Sequence, residues 1–283
     1  INAIRDVSFS LSQGETLGLV GESGCGKTTL GRVIIRLLEP TSGKIAINGV
    51  DITKLNRREF RRYRTKLQMI FQHPESTLNP RVKISNSLSE GLDIQGHSPD
   101  RDKLNELCDM VNLRQEILDR YPHEVSGGEI QRVVTARAFS LNPSLIVADE
   151  PTSDLDISVQ AQILNLLKRL QDKFKISIIL ISHDLEVVRS MSDRIAVMLA
   201  GRIIEEGPAK SLINNPLHPC TTDLKAASSL EETATLEEGD IYVSSNGNGG
   251  CPYAPRCSRA TELCLEKEPE LKGSAHKVAC MKS

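Results

Sequence analysis

The stretch Gly21-Glu22-Ser23-Gly24-Cys25-Gly26-Lys27-Thr28 constrains this chain more than any other. It fits the pattern G-x-x-x-x-G-K-S/T at every fixed position. The apolar run Thr16–Val20 precedes it, and an apolar periodicity follows from Thr28 to about Leu38, ending before Pro40. Strand, glycine-rich loop and helix open a parallel α/β sheet. The glycines let consecutive backbone N–H groups turn toward phosphates, and the following helix adds its positive end. Lys27 can reach β and γ phosphates, and the Thr28 hydroxyl can bind Mg²⁺. Gly21, Glu22, Ser23, Gly24, Cys25, Gly26, Lys27 and Thr28, with the adjoining Thr29, are the candidate residues for binding a nucleotide's phosphates. Cys25 occupies one of the pattern's free positions and reads as filler rather than as a redox switch.

At 283 residues, 39% hydrophobic, the chain can bury a sizeable core. Aromatic residues make up 3% and Trp is absent, so that core must be aliphatic. Lys plus Arg number 35 against 37 for Asp plus Glu, with no basic patch, which argues against a nucleic-acid partner. The longest apolar stretches, such as Ile176–Ile181, are strand-sized and far short of a membrane span. No signal peptide precedes the first strand, which points to the cytoplasm. The start at Ile1 rather than Met predicts that a short N-terminal piece is missing.

Along the chain, Ala3–Leu11 reads as a strand before a turn at Ser12-Gln13-Gly14. Short strands are expected around Ile45–Ile47 and Leu67–Phe71. From about 74 to 142 the sequence turns polar and helical, with helices over Asp100–Val111 and Gly128–Phe139. Strand-like runs return at Leu145–Ala148 and Ile176–Ile181, on either side of a periodic helix, Val159–Asp172. Ile195–Leu199 and Arg202–Glu205 read as a hairpin joined at Ala200-Gly201. A segment poor in large apolar residues, 226–250, reads as a linker, and a Cys-rich tail follows.

The strand Leu145–Ala148 ends in Asp149-Glu150. A carboxylate at such a strand end lies beside the phosphate loop, where Asp149 can hold Mg²⁺ and Glu150 can polarise a water against the γ phosphate. Ser126-Gly127-Gly128 precedes a helix; Ser126 suits the helix start, and the glycines leave N–H groups open to an anion. By itself Ser-Gly-Gly before a helix is an ordinary cap.

In motif content, order and spacing, residues 1 to about 225 resemble the ATPase subunits of ABC transporters. Ser126-Gly127-Gly128-Glu129 is similar to that family's signature Leu-Ser-Gly-Gly-Gln, with Val125 and Glu129 as departures. Gln72 matches the Q-loop, Ser153-Asp154-Leu155-Asp156 the D-loop, and His183 the switch histidine. The resemblance implies a P-loop NTPase core with an antiparallel β subdomain, a helical insertion at about 74–142, and a small Cys-rich C-terminal tail. It implies catalytic roles for Glu150, His183 and Gln72, and Mg²⁺ held by Thr28, Gln72 and Asp149. It also implies a head-to-tail dimer in which Ser126, Gly127 and Gly128 close over the partner's ATP. The family's adenine-stacking aromatic would lie upstream of residue 1.

A narrower resemblance is to the oligopeptide/dipeptide importer branch, which includes nickel importers. It rests on Leu38–Gly43, Leu78-Asn79-Pro80-Arg81, Asn215–Pro219, and the tail from Cys251 through Cys257, Cys264 and His276 to Cys280. Where that branch has Tyr after His-Pro, this chain has Cys220. This implies an importer at the cytoplasmic face of the cell membrane. Its partners would be a second ABC ATPase subunit (a heterodimer in preference to a homodimer), two permease subunits and, indirectly, a solute-binding protein. A soluble ABC ATPase acting in DNA repair or on ribosomes is the alternative. Export is a third reading, though such exporters commonly fuse their membrane helices to the cassette.

Seven cysteines are present, and Cys251, Cys257, Cys264 and Cys280 crowd the tail. In a reducing cytosol this favours a metal over disulfides. Intervals of five, six and fifteen residues differ from the paired C-x₂-C hooks of structural zinc. They suit an iron–sulfur site better. The branch resemblance implies a 4Fe–4S cluster, with Zn²⁺ as runner-up and four reduced core thiols as the bland alternative.

Overall fold

The computed structural model describes residues 3–153, 155–230 and 249–282. Asp154 of the expected D-loop and residues 231–248 of the expected linker lie outside the described residues. The chain forms two compact units: Ile1–Leu11, Glu15–Gly31 and Leu180–Ser283 make one, Ser12–Gly14 and Arg32–Ile179 the other. Both combine strands with helices, as expected for a P-loop NTPase core.

In the first unit the strand Thr16–Gly21 runs parallel to Arg194–Leu199, pairing Gly18 with Ile195 and Val20 with Val197. Every residue of Thr16–Gly21 is buried. A strand covered on both faces reads as a continuous apolar run rather than an alternation. Arg194–Leu199 turns back into the antiparallel strand Arg202–Pro208. Ala200 and Gly201 both take positive φ, 46° and 82°. That is what a two-residue hairpin matched to strand twist requires. The tail then adds a strand, with Lys277 opposite Glu206 and Val278 opposite Glu205. Lys272–Gly273 pairs on its far side.

Helix Leu185–Met191 packs on Thr16–Gly21 and against helices Ala209–Asn214 and Pro219–Leu230. The first two span about two turns, too short for a periodicity to stand out. Pro219–Leu230 runs into the segment expected as linker.

The expected strand Ala3–Leu11 is corrected by the structure, which shows no regular element there. Arg5 N donates to Gly201 O at 2.8 Å, but no ladder forms among the described residues, and Asp6 turns to φ 48°. An extended segment becomes a strand only with a neighbour along its length. The helix after the glycine loop, Lys27–Ile34, stops short of the expected Leu38. Arg36 takes φ 56° there, and its Nη1 donates to Ile52 O and Leu55 O at 2.8 and 2.9 Å.

In the second unit Leu67–Ile70 runs parallel to Leu145–Asp149, with Leu67 opposite Leu145 and Ile70 opposite Ala148. The strand Ser177–Ile181 starts beside them, where Ser177 N donates to Ser144 O. Its far end belongs to the first unit, where Ser182 N donates to Leu19 O. Helix Gly127–Ser140 packs on Leu67–Ile70 and on helices Ile84–Ile94, Arg101–Met110 and Ile157–Phe174. Leu88, Val133, Ile146, Ile163 and Leu167 are fully buried with Phe139, an almost wholly aliphatic core. Two helices escape periodicity, the serine-bearing Ile84–Ile94 and the arginine-rich Arg57–Arg64, which Asn56 and Glu59 cap reciprocally. Among the described residues no helix is long and apolar enough to cross a membrane.

Candidate active site

The phosphate loop bridges the buried strand Thr16–Gly21 and the helix Lys27–Ile34. Its path depends on glycine at two places. Gly21 lies at φ 152°, where a Cβ would fall 2.2 Å from Met198 O. Gly26 lies at φ 106°, where a Cβ would fall 2.5 Å from Ala3 O. Lys27 is buried, and its ammonium donates to the carbonyls of Gly21 at 2.6 Å and Glu22 at 2.9 Å, with Cys25 Sγ at 3.8 Å. The chain thus holds a cation over its own loop, while the opening amides of the helix have no acceptor within it. Burial pushes the Cys25 thiol up against the downward pull of Lys27. A neutral, buried thiol suits the filler role.

His183 follows the strand Ser177–Ile181 and is exposed. Ser182 Oγ accepts from Asp184 N, and Asp184 caps the next helix by accepting from Glu186 N and Val187 N. The histidine is therefore presented from a short link tied down on both sides.

In the second unit Asp149 ends a fully buried strand and is itself 2% exposed. Glu150 takes φ 45°, a left-handed conformation rare for a residue with a side chain. Backbone strain of this kind clusters at functional positions. Ser153 supports the turn, its amide and hydroxyl both donating to Glu150 O at 3.2 and 3.0 Å. Gln72 Nε2 donates to Glu150 Oε2 at 3.2 Å, so the predicted Q-loop amide and the predicted base are brought together.

Ser126 is the N-cap of helix Gly127–Ser140, as its sequence suggested. Glu129 completes a reciprocal cap, its Oε2 accepting from Ser126 N at 3.0 Å and from Ser126 Oγ at 2.8 Å. These bonds hold the Glu129 carboxyl below its usual range. The departure from Gln thus places a carboxylate on the serine hydroxyl. Gly128 is needed for packing, since a Cβ there would lie 2.9 Å from Val159 Cγ1.

The four tail cysteines, spread over residues 251–280, all line one small cavity with His218 and Tyr253. Burial raises the Cys251 thiol, whereas the Thr261 hydroxyl, 3.3 Å from Cys264 Sγ, lowers that of Cys264. Among the described residues no three His, Cys, Asp or Glu side chains are grouped so as to hold a metal ion. The metal centre expected at Cys251, Cys257, Cys264 and Cys280 is therefore not preassembled for a single ion. Sequence reading missed Glu205, which is 0% exposed and pins the tail. It accepts from Leu217 N and His218 N and meets His276 Nε2 at 2.7 Å. An acidic residue in an apolar strand, with a histidine downstream, was its only signal.

Residues 4–153 match the family described as ABC transporter, and residues 204–264 match the oligopeptide/dipeptide transporter C-terminal region. The oligopeptide transport ATP-binding protein AppF of Bacillus subtilis is 43% identical over 99% of this chain and 89% of its own length. The corresponding OppF of Haemophilus influenzae is 42% identical over 100% of this chain and 89% of its own. Among solved structures, the dimeric ATP-binding cassette MJ0796, in a post-hydrolysis state bound to ADP and Pi, superposes with a TM-score of 0.66 at 29% identity. It covers 73% of this chain and 90% of that one.

Proposed function

The chain belongs to the ABC transporter family, as an ATP-binding and ATP-hydrolysing subunit, and we propose that the process it powers is the import of peptides. The observation that carries this reading is the join of an ABC cassette to the oligopeptide/dipeptide transporter C-terminal region at 204–264. The names of the curated relatives support it. In this reading 1–225 is the ATPase domain with its helical insertion at about 74–142, 226–250 the linker and 251–283 the extension.

Gly21–Thr29 cradle the triphosphate of ATP, and Lys27 reaches its β and γ phosphates. Thr28, Gln72 and Asp149 would hold Mg²⁺; their oxygen donors suit a hard cation, which would neutralise phosphate charge. Glu150 accepts a proton from the attacking water, and Gln72, already bonded to Glu150, orients that carboxylate. His183 positions the γ phosphate. Ser126, Gly127 and Gly128 close over ATP bound to the partner subunit, so charge stabilisation is complete only in the closed dimer. That partner is a second ABC ATPase, a paralogue rather than a copy. Two permeases anchor the pair at the cytoplasmic face of the membrane, and a solute-binding protein delivers the peptide.

The tail cysteines Cys251, Cys257, Cys264 and Cys280 hold a 4Fe–4S cluster, in preference to Zn²⁺, with a structural role. Their lining of one cavity supports a common centre, and their varied spacing suits an iron–sulfur cluster. Anaerobic, iron-replete preparation is expected to give brown protein; colourless, iron-free protein would remove the cluster, and a single zinc would replace it. The import reading is tested by reconstituting the subunit with its two permeases in vesicles. Peptide added with the binding protein is expected to raise ATP turnover and to accumulate inside. Binding to ribosomes or DNA, with no membrane partner, would overturn it.

A further inference from the structure

Glu22 sits inside the phosphate loop, yet its side chain is engaged elsewhere. Its Oε1 accepts from Arg256 Nη2 at 2.6 Å, a contact across 234 positions that joins the loop to the Cys-rich tail. Its Oε2 is buried and has no hydrogen-bond partner among the described residues. The same residue's carbonyl accepts from Lys27 Nζ at 2.9 Å. Whatever moves Glu22 therefore moves the cation that reaches for phosphate.

Arg256 is placed from the tail side before it meets Glu22. It ends the turn Ala254–Arg256, which lies between two of the cavity cysteines. Ala254 N donates to Cys251 O at 3.0 Å, and Cys257 N to Ala254 O at 3.2 Å. The guanidinium stacks over the Tyr253 ring, 5.1 Å from its centroid. The Tyr253 hydroxyl in turn donates to Asp223 on helix Pro219–Leu230.

A carboxylate in a loop that binds a triphosphate is a like charge at the wrong place. Neutralised and tethered, it does little harm; released, it repels the nucleotide and loosens the backbone that Lys27 grips. We propose that Arg256 is a positioning residue for the phosphate loop, which acts through Glu22 and makes ATP affinity depend on the docked tail. In this role it acts through Glu22 and not on the reacting atoms. Its loss acts on binding rather than on the chemical step.

The test uses the full chain, with ATP titrated by calorimetry and turnover measured in the assembled transporter. Arg256→Gln is expected to raise the Kd for ATP about two- to fivefold, the size of a partly exposed charge pair, and to leave kcat at saturating ATP unchanged. The rise should shrink as salt screens the pair. Arg256→Lys is expected to restore most of the affinity. In a Glu22→Gln background, replacing Arg256 should change nothing further, because the charge it answers is gone. A purely structural Arg256 would, when replaced, lower kcat and raise the Kd together and would do so in the Glu22→Gln background as well; that result overturns the proposal. So does an unchanged Kd in Arg256→Gln. The parental chain's own affinity for ATP reports separately on whether the loop binds nucleotide.

Discussion

The phosphate loop and the Cys-rich tail belong to the same compact unit, but different kinds of bond hold them. In the loop the partners are close in sequence: Lys27 to Gly21 and Glu22, Leu30 N to Gly26 O. In the tail they are distant: Glu268 with Arg5 and Arg202, His276 with Glu205, Arg256 with Glu22. The loop's geometry follows mainly from its own backbone and glycines, with Gly201 N donating to Cys25 O at 2.9 Å and Arg256 holding Glu22 from outside. The tail's geometry follows from a few long-range polar contacts, most of them partly exposed and individually weak. Glu205 is the exception, because it is fully buried and satisfies two amides and a histidine at once. A site can therefore be pre-shaped locally or assembled from afar, and the two should fail differently.

The largest expected effect lies on the chemical step. Glu150→Gln keeps an oxygen for the Gln72 amide but cannot take a proton, so turnover should fall by about 10²–10⁴ with ATP still bound. Parental turnover in the assembled transporter would move the role to another group. Next comes the tail's anchor. Glu205→Ala leaves the buried His218 amide and the part-buried Leu217 amide without an acceptor, at a cost on the order of 3 kcal/mol. Denaturant melts should show that loss and limited proteolysis should free the tail, while the loop still binds ATP with a Kd raised only by the about two- to fivefold that loss of the Arg256 contact implies. A simultaneous collapse of nucleotide binding would show that the loop is less self-sufficient than its local bonds suggest.

Lys27→Ala removes a charge-assisted phosphate contact and should cost about 1.5–3 kcal/mol in ATP affinity. Nucleotide titration decides it, and unchanged affinity would reject the loop assignment. The smallest effect sharpens the contrast through thiol chemistry. In metal-free protein at neutral pH, Cys264 should alkylate first, since the Thr261 hydroxyl stabilises its thiolate. Cys25 should lag, and Cys220, which burial pushes up to about 12, should react last. Peptide mass spectrometry after timed alkylation gives the order, and early labelling of Cys220 would contradict its burial.

The residues that carry chemistry in the core were readable because their signals are local. Gly21 to Thr28, Asp149-Glu150 after an apolar strand, and Ser126 before a helix each combine a turn, a charge and a periodicity within a few positions. Short-range backbone sterics and hydrogen bonds decide such features, and those are written in neighbouring residue types. Regular elements with partners held up for the same reason, as with Leu145–Asp149 and Ile157–Phe174. Ala3–Leu11 did not, because a strand exists only through a neighbour that its own sequence does not specify.

Residue order alone implies the phosphate loop, the carboxylates at the strand end and the membership of an ATPase family. Folding is what pairs Val278 with Glu205, gathers four spaced cysteines around one cavity and brings Arg256 to Glu22. Those contacts form only after the chain has closed loops far longer than any motif. Their energy depends on burial and distance in the folded state, and no window of sequence carries either.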